Sequence, residues 1–197
     1  MLRLVLATRN PGKIREIVDK LNNYPVIVEC LNDYPEIAEI KEDGKTFSDN
    51  AIIKAKTVSE LVDLPSLADD SGLEIEYLGG KPGILSSRWG TSDQERINKV
   101  IKALKNSSTE QRNARFVCVM SLFTKEKKYY ITKGICSGKI SLSPWGSFGF
   151  GYDPIFIPEG YNQTFAQMGN EIKKRISHRA IALKKMIQII IEHYKLN

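Results

Sequence analysis

Residues 2–13 of the chain, LRLVLATRNPGK, pass from a short apolar segment directly into the start of a helix. The apolar residues 4–7 are typical of a buried strand. Asn10 followed by Pro11 predicts a helix that begins at Pro11, because proline lacks an N–H group that would have no partner there. The free N–H groups of the first helical turn, together with the side chains of Thr8, Asn10 and Lys13, suit an anion such as phosphate. A purely structural helix cap gives the same pattern, so both interpretations stay open at this point.

The composition indicates a single globular domain with an anionic partner. The chain has 197 residues, 42% of them hydrophobic, and its 29 basic and 23 acidic residues give a net charge of +6. These charges are spread along the sequence, so a nucleotide fits as well as a nucleic acid. Cys30, Cys118 and Cys136 lie far apart without metal-binding spacing, which favours a reducing compartment. No apolar run approaches the roughly 18 residues of a membrane span, and the apolar start is too short for a signal peptide. We therefore expect a cytoplasmic protein.

Apolar spacing predicts strands that alternate with helices in the first half of the chain and a hairpin in the second half. Helices are predicted at about 11–21 and from Thr46 or Ser48 to about 62. A third helix is predicted to begin at a capping box of Ser92 and Glu95 and to extend to about 104, and one long helix is predicted from about 170. Strands are predicted at 4–7, 26–30, 73–77, 116–123 and 129–142. This order indicates an α/β fold with a mixed sheet.

Asp69 and Asp70 are adjacent carboxylates, predicted at a junction between the apolar residues 66–68 and the next strand. Two such groups repel each other unless a cation or a turn hydrogen bond relieves the repulsion. Mg²⁺ takes a few carboxylate oxygens together with water and substrate phosphate, and Glu42 can complete such a set. An Asx-turn accounts for the pair equally well.

Two lysines and an aromatic loop also fit a nucleotide. Lys13 and Lys54 are predicted near helix starts, where a positive charge opposes the helix dipole unless an anion is present. In residues 148–152, FGFGY, aromatic residues alternate with glycines, which lets a flat base stack on an aromatic face. Surface lysines are common, and aromatics of a glycine-rich turn can also fill a core.

His178 and Arg179, predicted inside the last helix, can read the oxygen-bearing edge of a base or simply form a polar helix face. The sequence contains no Ser-His-Asp triad, no P-loop motif and no G-x-G-x-x-G after a strand. These absences argue against a serine hydrolase, a P-loop NTPase and a Rossmann dehydrogenase.

Taken in order, the motifs of the chain closely resemble those of the inosine triphosphate pyrophosphatase family, which clears non-standard purine nucleoside triphosphates. They are LATRNPGK (6–13), F-x-x-N-A-x-x-K-A (47–55), ADDSGL (68–73), LGG-x-PG with S-x-R (78–88), FGYDP (150–154) and SHR (177–179). They span essentially the whole chain.

The resemblance implies a long mixed β-sheet flanked by helices, split into two lobes with a central cleft, in one bilobed domain over residues 1–197. It implies hydrolysis of ITP, dITP and XTP to the monophosphate and pyrophosphate, with one Mg²⁺ per subunit. It also implies that the protein is a homodimer and that it binds a small nucleotide. Binding to a nucleic acid or to a membrane is not expected.

Position within these motifs implies roles for individual residues. The triphosphate would be bound by Thr8, Arg9, Asn10, Pro11, Gly12, Lys13 and Lys54. Asp70 would hold the metal and act as the base, with Glu42 and Asp69 as further metal ligands and Ser71 on the substrate. The base and sugar would contact Phe150, Gly151, Tyr152 and Asp153, and the nucleotide would be covered by Lys173, His178 and Arg179. Relatives often have Glu-Glu-Thr-Gly where this chain has Lys41-Glu42-Asp43-Gly44, so Glu42 keeps the carboxylate of the family pattern while its neighbour Lys41 has the opposite charge.

The mechanistic hypothesis is that a carboxylate orients a water molecule for attack on the α-phosphorus, while metal and lysines neutralise the leaving pyrophosphate. Arg179 and backbone amides near Phe150 would donate to the 6-oxo group of the base, which leaves the amino group of ATP mismatched. Two alternatives stay open. One is a related pyrophosphatase for modified pyrimidine or other nucleotides, and the other is a basic nucleic-acid-binding module.

Overall fold

The computed structural model describes residues 1–196. The strands are β1 (Leu2–Leu6), β2 (Val26–Cys30), β3 (Ser66–Ile75), β4 (Asn113–Phe123), β5 (Tyr129–Ile140) and β6 (Phe156–Pro158). The helices are α1 (Pro11–Leu21), α2 (Phe47–Val62), α3 (Asp93–Ala103), α4 (Phe165–Met168), α5 (Asn170–Ile176) and α6 (His178–Tyr194). Short 3₁₀ turns lie between several of them.

The strands form one six-stranded sheet in the order β2-β1-β3-β4-β5-β6. β1 runs parallel to both β2 and β3, whereas β5 and β6 are antiparallel. The predicted α/β fold with a mixed sheet is therefore confirmed. The predicted hairpin is also present, since β4 and β5 are neighbours joined by a turn in which the Thr124 amide donates to the Lys128 carbonyl.

The chain divides into two compact units. Unit 1 comprises Met1–Asp70, Cys118–Gly134 and the chain from Ile181 onwards, and unit 2 comprises Ser71–Val117 and Ile135–Ala180. β3, β4, β5 and α6 each contain residues of both units. The single bilobed domain stays a prediction.

Unit 1 contains two apolar clusters, and β1 contributes to both. Leu4 and Leu6 pack with residues of α1 and α6, whereas Val5 and Ala7 pack with residues of α2. Successive side chains of a strand point to opposite faces, so β1 is buried on both sides. β3 continues the same alternation, because Leu67 belongs to the first cluster and Ala68 to the second.

Unit 2 has one apolar cluster. It joins Leu73 and Ile75 of β3 to Ile97 and Val100 of α3 and to several aromatic residues. Among these, the rings of Phe116 and Phe156 lie 4.6 Å apart between centroids.

Three predictions about local structure are wrong. Asp69 and Asp70 lie in the middle of β3 and not at a turn, because residues 66–75 form one continuous strand. The last helix is interrupted at Ser177, which has an extended backbone and whose hydroxyl accepts from the amide of Ala180. Lys54 lies two turns into α2 and not at its start, since that helix begins at Phe47 behind a Thr46 cap.

Candidate active site

The alternation of β3 determines where its two aspartates point. Asp69 shares the face of Leu67, toward α1, and Asp70 shares the face of Ala68, toward α2. A lysine from each helix meets the corresponding carboxylate. The Lys13 Nζ atom lies 3.1 Å from Asp69 Oδ1, and the Lys54 Nζ atom lies 3.5 Å from Asp70 Oδ1. Both lysines therefore lie beside the acidic pair within unit 1.

Lys54 is the centre of this cluster. Its ammonium group donates to the Asp69 carbonyl at 2.7 Å and lies 2.9 Å from Glu42 Oε1, in addition to its contact with Asp70. The residue is only 7% exposed. Three oxygen atoms from two segments therefore surround one buried cation.

Burial and charge oppose each other at these groups. Burial alone would lower the pKa of Lys54, but Asp70, Asp69 and Glu42 together outweigh it, so the pKa is raised and the ammonium stays charged. Burial raises the pKa of Asp70, and the positive charges of Lys54 and Lys13 offset this only in part. Asp70 is therefore a more basic carboxylate than an exposed aspartate.

Asn50 belongs to the cluster although it is not among the predicted site residues. Its Nδ2 donates to Asp70 Oδ2 at 3.1 Å, and its Oδ1 accepts from the Gly44 amide at 2.9 Å. The sequence signals are its place in the motif F-x-x-N-A-x-x-K-A and its spacing from Lys54, which places both residues on the same face of α2.

The start of α1 confirms the predicted cap. The Asn10 side chain accepts from the Lys13 amide at 3.0 Å, and the Thr8 hydroxyl accepts from the Asn10 amide at 3.1 Å. Arg9 donates to the carbonyls of Tyr34 and Ile37. Some of the residues predicted to bind phosphate therefore already form hydrogen bonds that cap α1 or hold the neighbouring loop.

The residues present fit a divalent cation in part. Within residues 1–196, no group of three or more Asp, Glu, His or Cys side chains is arranged to hold a metal ion. Glu42 and Asp70 nevertheless direct oxygen atoms toward the same ammonium, so both can face a single cation, and two carboxylates are a donor set that Mg²⁺ uses. Asp69 faces Lys13 on the opposite side of the strand.

The predicted base-binding residues gather in unit 2 around the glycine-rich loop. Asp153 Oδ2 accepts from the Phe150 amide at 2.9 Å and lies 2.5 Å from Lys173 Nζ. Lys173 also lies 4.4 Å above the Phe150 ring, and the Arg179 guanidinium lies 5.7 Å from the same ring. Arg179 donates in addition to the Ser71 hydroxyl at 3.2 Å.

Two residues of this set have structural contacts. Tyr152 is 5% exposed and its hydroxyl donates to the Ser86 carbonyl, and burial raises its pKa. The His178 ring stacks on Phe116 with 4.6 Å between centroids. The explanation that loop aromatics fill the core therefore holds for Tyr152, whereas Phe150 carries the cation contacts.

Two of the loop amides expected to recognise the base have partners within the protein, and their role in base recognition stays a prediction. The Phe150 amide already donates to Asp153, and the Gly151 amide donates to Asp93 Oδ2 at 2.8 Å. Arg179, which donates to the Ser71 hydroxyl, is the predicted side-chain donor of this neighbourhood.

Unit 2 also has a cavity of about 700 Å³ whose lining contains none of the predicted site residues; it includes Glu74, Glu76, Asn113, Arg115, Lys139 and Tyr161. Within residues 1–196, no helix has the length and apolar character needed to span a membrane.

Comparisons with known proteins converge on one family. Residues 4–189 match the model of the Ham1 family. A dITP/XTP pyrophosphatase of Bacillus subtilis is 40% identical over 96% of this chain and 98% of the relative. A dITP/XTP pyrophosphatase of Prochlorococcus marinus is 46% identical over 93% of this chain and 91% of the relative. The solved structure of a HAM1 protein from Coxiella burnetii, 38% identical, matches with a TM-score of 0.88 over 98% of this chain and 100% of that chain.

Proposed function

The chain belongs to the Ham1 family, and we propose that it hydrolyses non-standard purine nucleoside triphosphates such as ITP, dITP and XTP to the monophosphate and pyrophosphate. The observation that carries the proposal is the cluster that Glu42 forms with the buried residues Asp70 and Lys54, with Lys13 on the neighbouring aspartate. The dITP/XTP pyrophosphatases of Bacillus subtilis and Prochlorococcus marinus match this chain over 98% and 91% of their own length, which supports the same reaction type.

The cluster of unit 1 provides the groups that the reaction needs. Lys13 and Lys54 bind the triphosphate, whose oxygens replace carboxylates as acceptors of the two ammonium groups. Asp70 takes a proton from a water molecule as the water oxygen bonds to the α-phosphorus and the bond to the leaving pyrophosphate breaks.

Mg²⁺ is the proposed cofactor, and Glu42 and Asp70 are the residues that would hold it. When bound, such an ion withdraws charge from phosphate oxygens and stabilises the leaving group. Asp69 contributes chiefly by orienting Lys13, since its carboxylate faces that ammonium.

Base selection is assigned to unit 2. Phe150 offers a ring for stacking, and Arg179 donates to a 6-oxo group that ITP and XTP carry and ATP lacks. The proposal includes Ser71, Asp153, Lys173 and His178 as supports of the nucleotide, and a cytoplasmic homodimer as the working form.

The test is pyrophosphate release from ITP, dITP, XTP, GTP and ATP, each with and without Mg²⁺. We expect release from ITP and XTP that depends on Mg²⁺, and rejection of ATP by roughly 10- to 100-fold, because one unpaired buried donor costs about 1–3 kcal/mol. Equal hydrolysis of ATP and ITP would contradict the base pocket. Near-normal turnover of Asp70→Asn at saturating Mg²⁺ would remove Asp70 from the chemistry.

A further inference from the structure

Asn50 connects two parts of the proposed site that are distant in sequence. It lies on α2, is 1% exposed, and its amide contacts Asp70 of β3 on one side and Gly44 of the loop before α2 on the other. A buried amide needs partners for both its donor and its acceptor atoms. The Gly44 amide can only face the oxygen, and the Asp70 carboxylate favours the nitrogen, so the orientation of the Asn50 side chain is determined.

The contact with Asp70 orients the carboxylate. The Lys54 ammonium lies 3.5 Å from Oδ1 and the Asn50 amide donates to Oδ2, so each oxygen of Asp70 has its own partner. Asn50 is neutral, so it holds the carboxylate in place without adding a second positive charge beside it.

The contact with Gly44 positions Glu42, which lies two residues earlier in the same loop. A Cβ atom at Gly44 would lie 2.6 Å from Asp49 Cβ and 2.7 Å from Asn50 Oδ1, so this loop approaches α2 too closely for any side chain. The close approach brings Glu42 within 2.9 Å of Lys54.

We propose that Asn50 is a positioning residue for the hydrolysis, holding the carboxylates of Asp70 and Glu42 in a fixed relation through the two ends of its amide. The inference rests on the proposed function. It assigns no contact with substrate to Asn50, whose effect on the reaction passes through Asp70 and the Gly44 loop.

The chain allows the two ends of the amide to be tested separately. Asn50→Asp keeps an oxygen for the Gly44 amide but places a carboxylate oxygen against Asp70. Gly44→Ala retains both groups of the Asn50–Asp70 contact but adds a Cβ atom that would lie 2.6 Å from Asp49 Cβ and 2.7 Å from Asn50 Oδ1, so the loop must shift away from α2. Asn98→Asp is the matched control, since Asn98 is an exposed residue of α3 and the substitution makes the same change of charge.

The kinetic readout is pyrophosphate release from ITP with Mg²⁺. We expect Asn50→Asp and Gly44→Ala each to lower kcat by about 100-fold, as a small displacement of catalytic groups does. KM should change by less than about 3-fold, because Lys13 and Lys54 remain. Asn98→Asp should match the wild type. An unchanged kcat in Asn50→Asp, or a loss confined to KM, would overturn the proposal.

A second readout does not depend on activity. Asn50→Asp should lower Tm by several degrees because two buried carboxylates face each other, and adding Asp70→Asn to the same chain should restore it by supplying an amide donor. Failure of this restoration would also overturn the proposal. If the wild-type protein released no pyrophosphate, the proposed function would fail, while the Tm cycle would still report on the Asn50–Asp70 contact.

Discussion

Lys54 carries a buried ammonium group whose partners all come from residues that the reaction is proposed to use. Removing a charge from water is costly, and its partners offset this cost only while they remain in place. The raised pKa of Lys54 reflects that balance, since the three acidic neighbours outweigh burial. Lys54 therefore stabilises the folded protein as well as binding phosphate in the proposed reaction.

Replacing Lys54 with methionine tests its contribution to the stability of the folded protein. Lys54→Met leaves Asp70 and Glu42 without their shared counter-charge, so we expect the free energy of unfolding to fall by about 3–5 kcal/mol. The measurement is urea denaturation with EDTA present, so that no divalent ion replaces the ammonium. Lys56→Met on the same helix is the control, because the Lys56 side chain is 56% exposed and only approaches Glu60 at 3.9 Å. Equal stability of the two variants would show that the Lys54 cluster adds nothing.

For single residues, the sequence indicates which charged side chains belong to the candidate site better than it indicates the neutral ones. Asp70, Lys13 and Lys54 stand out because isolated charges at special positions need an explanation. Asn50 does not, because an amide on a helix face is ordinary until a loop packs against it. The contact of Asn50 with the Gly44 amide, and the close approach of that loop to α2, appear only in the folded chain.

At the scale of elements, β3 and the break at Ser177 show where local pattern is insufficient. Asp-Asp-Ser-Gly is typical of turns, yet these residues continue β3 because lysines of α1 and α2 compensate both carboxylates and the strand is buried on either side. Apolar spacing continues from α5 into α6, which hides the Ser177 cap. Helix starts marked by Asn10 and Thr46 were predictable, because each combines a capping side chain with a helical apolar pattern.

The predicted capping box of α3 is only half present, and its acidic member gives a prediction about pH. Ser92 accepts from the Glu95 amide, but the Glu95 carboxylate accepts from Thr91 instead of from Ser92. Hydrogen bonds from Lys99 and then from Thr91 lower the pKa of Glu95 to about 2.

A carboxyl whose pKa is lower in the folded state stabilises the protein above its unfolded pKa, and this contribution is lost as the pH falls through the folded value. Glu95→Gln should therefore lower Tm at neutral pH, and the difference from wild type should narrow between about pH 4.5 and pH 2. Thermal unfolding followed by circular dichroism at several pH values measures this. Glu60→Gln, at an exposed position of α2, should shift Tm little at any pH. A Tm gap for Glu95→Gln that stayed constant down to pH 2.5 would contradict the pKa assignment.

At the scale of the whole molecule, the chain has separate apolar clusters in its two units, but the units share strands. β3 contributes Leu67 to a cluster of unit 1 and Leu73 to the cluster of unit 2. Alternating strands and helices are enough to predict the fold class from sequence. The boundary between units is not predictable in this way, because it falls inside strands, where no change of composition marks it.

Shared strands predict how the protein unfolds. Leu67 and Leu73 are 1% and 0% exposed, so Leu67→Ala and Leu73→Ala should each lower the free energy of unfolding by about 2–5 kcal/mol. Both residues lie on β3, and β4 and β5 also contain residues of both units. If the apolar cluster of one unit is lost, these strands lose order, and the apolar cluster of the other unit is destabilised as well. We therefore expect a single calorimetric transition in the wild type, shifted to lower temperature by either substitution, with the calorimetric and van't Hoff enthalpies equal.

Leu61→Ala, at a position that is 62% exposed, is the control and should leave the transition temperature nearly unchanged. Two resolved transitions, each moved by only one of the two core substitutions, would show that the units unfold independently despite the strands they share.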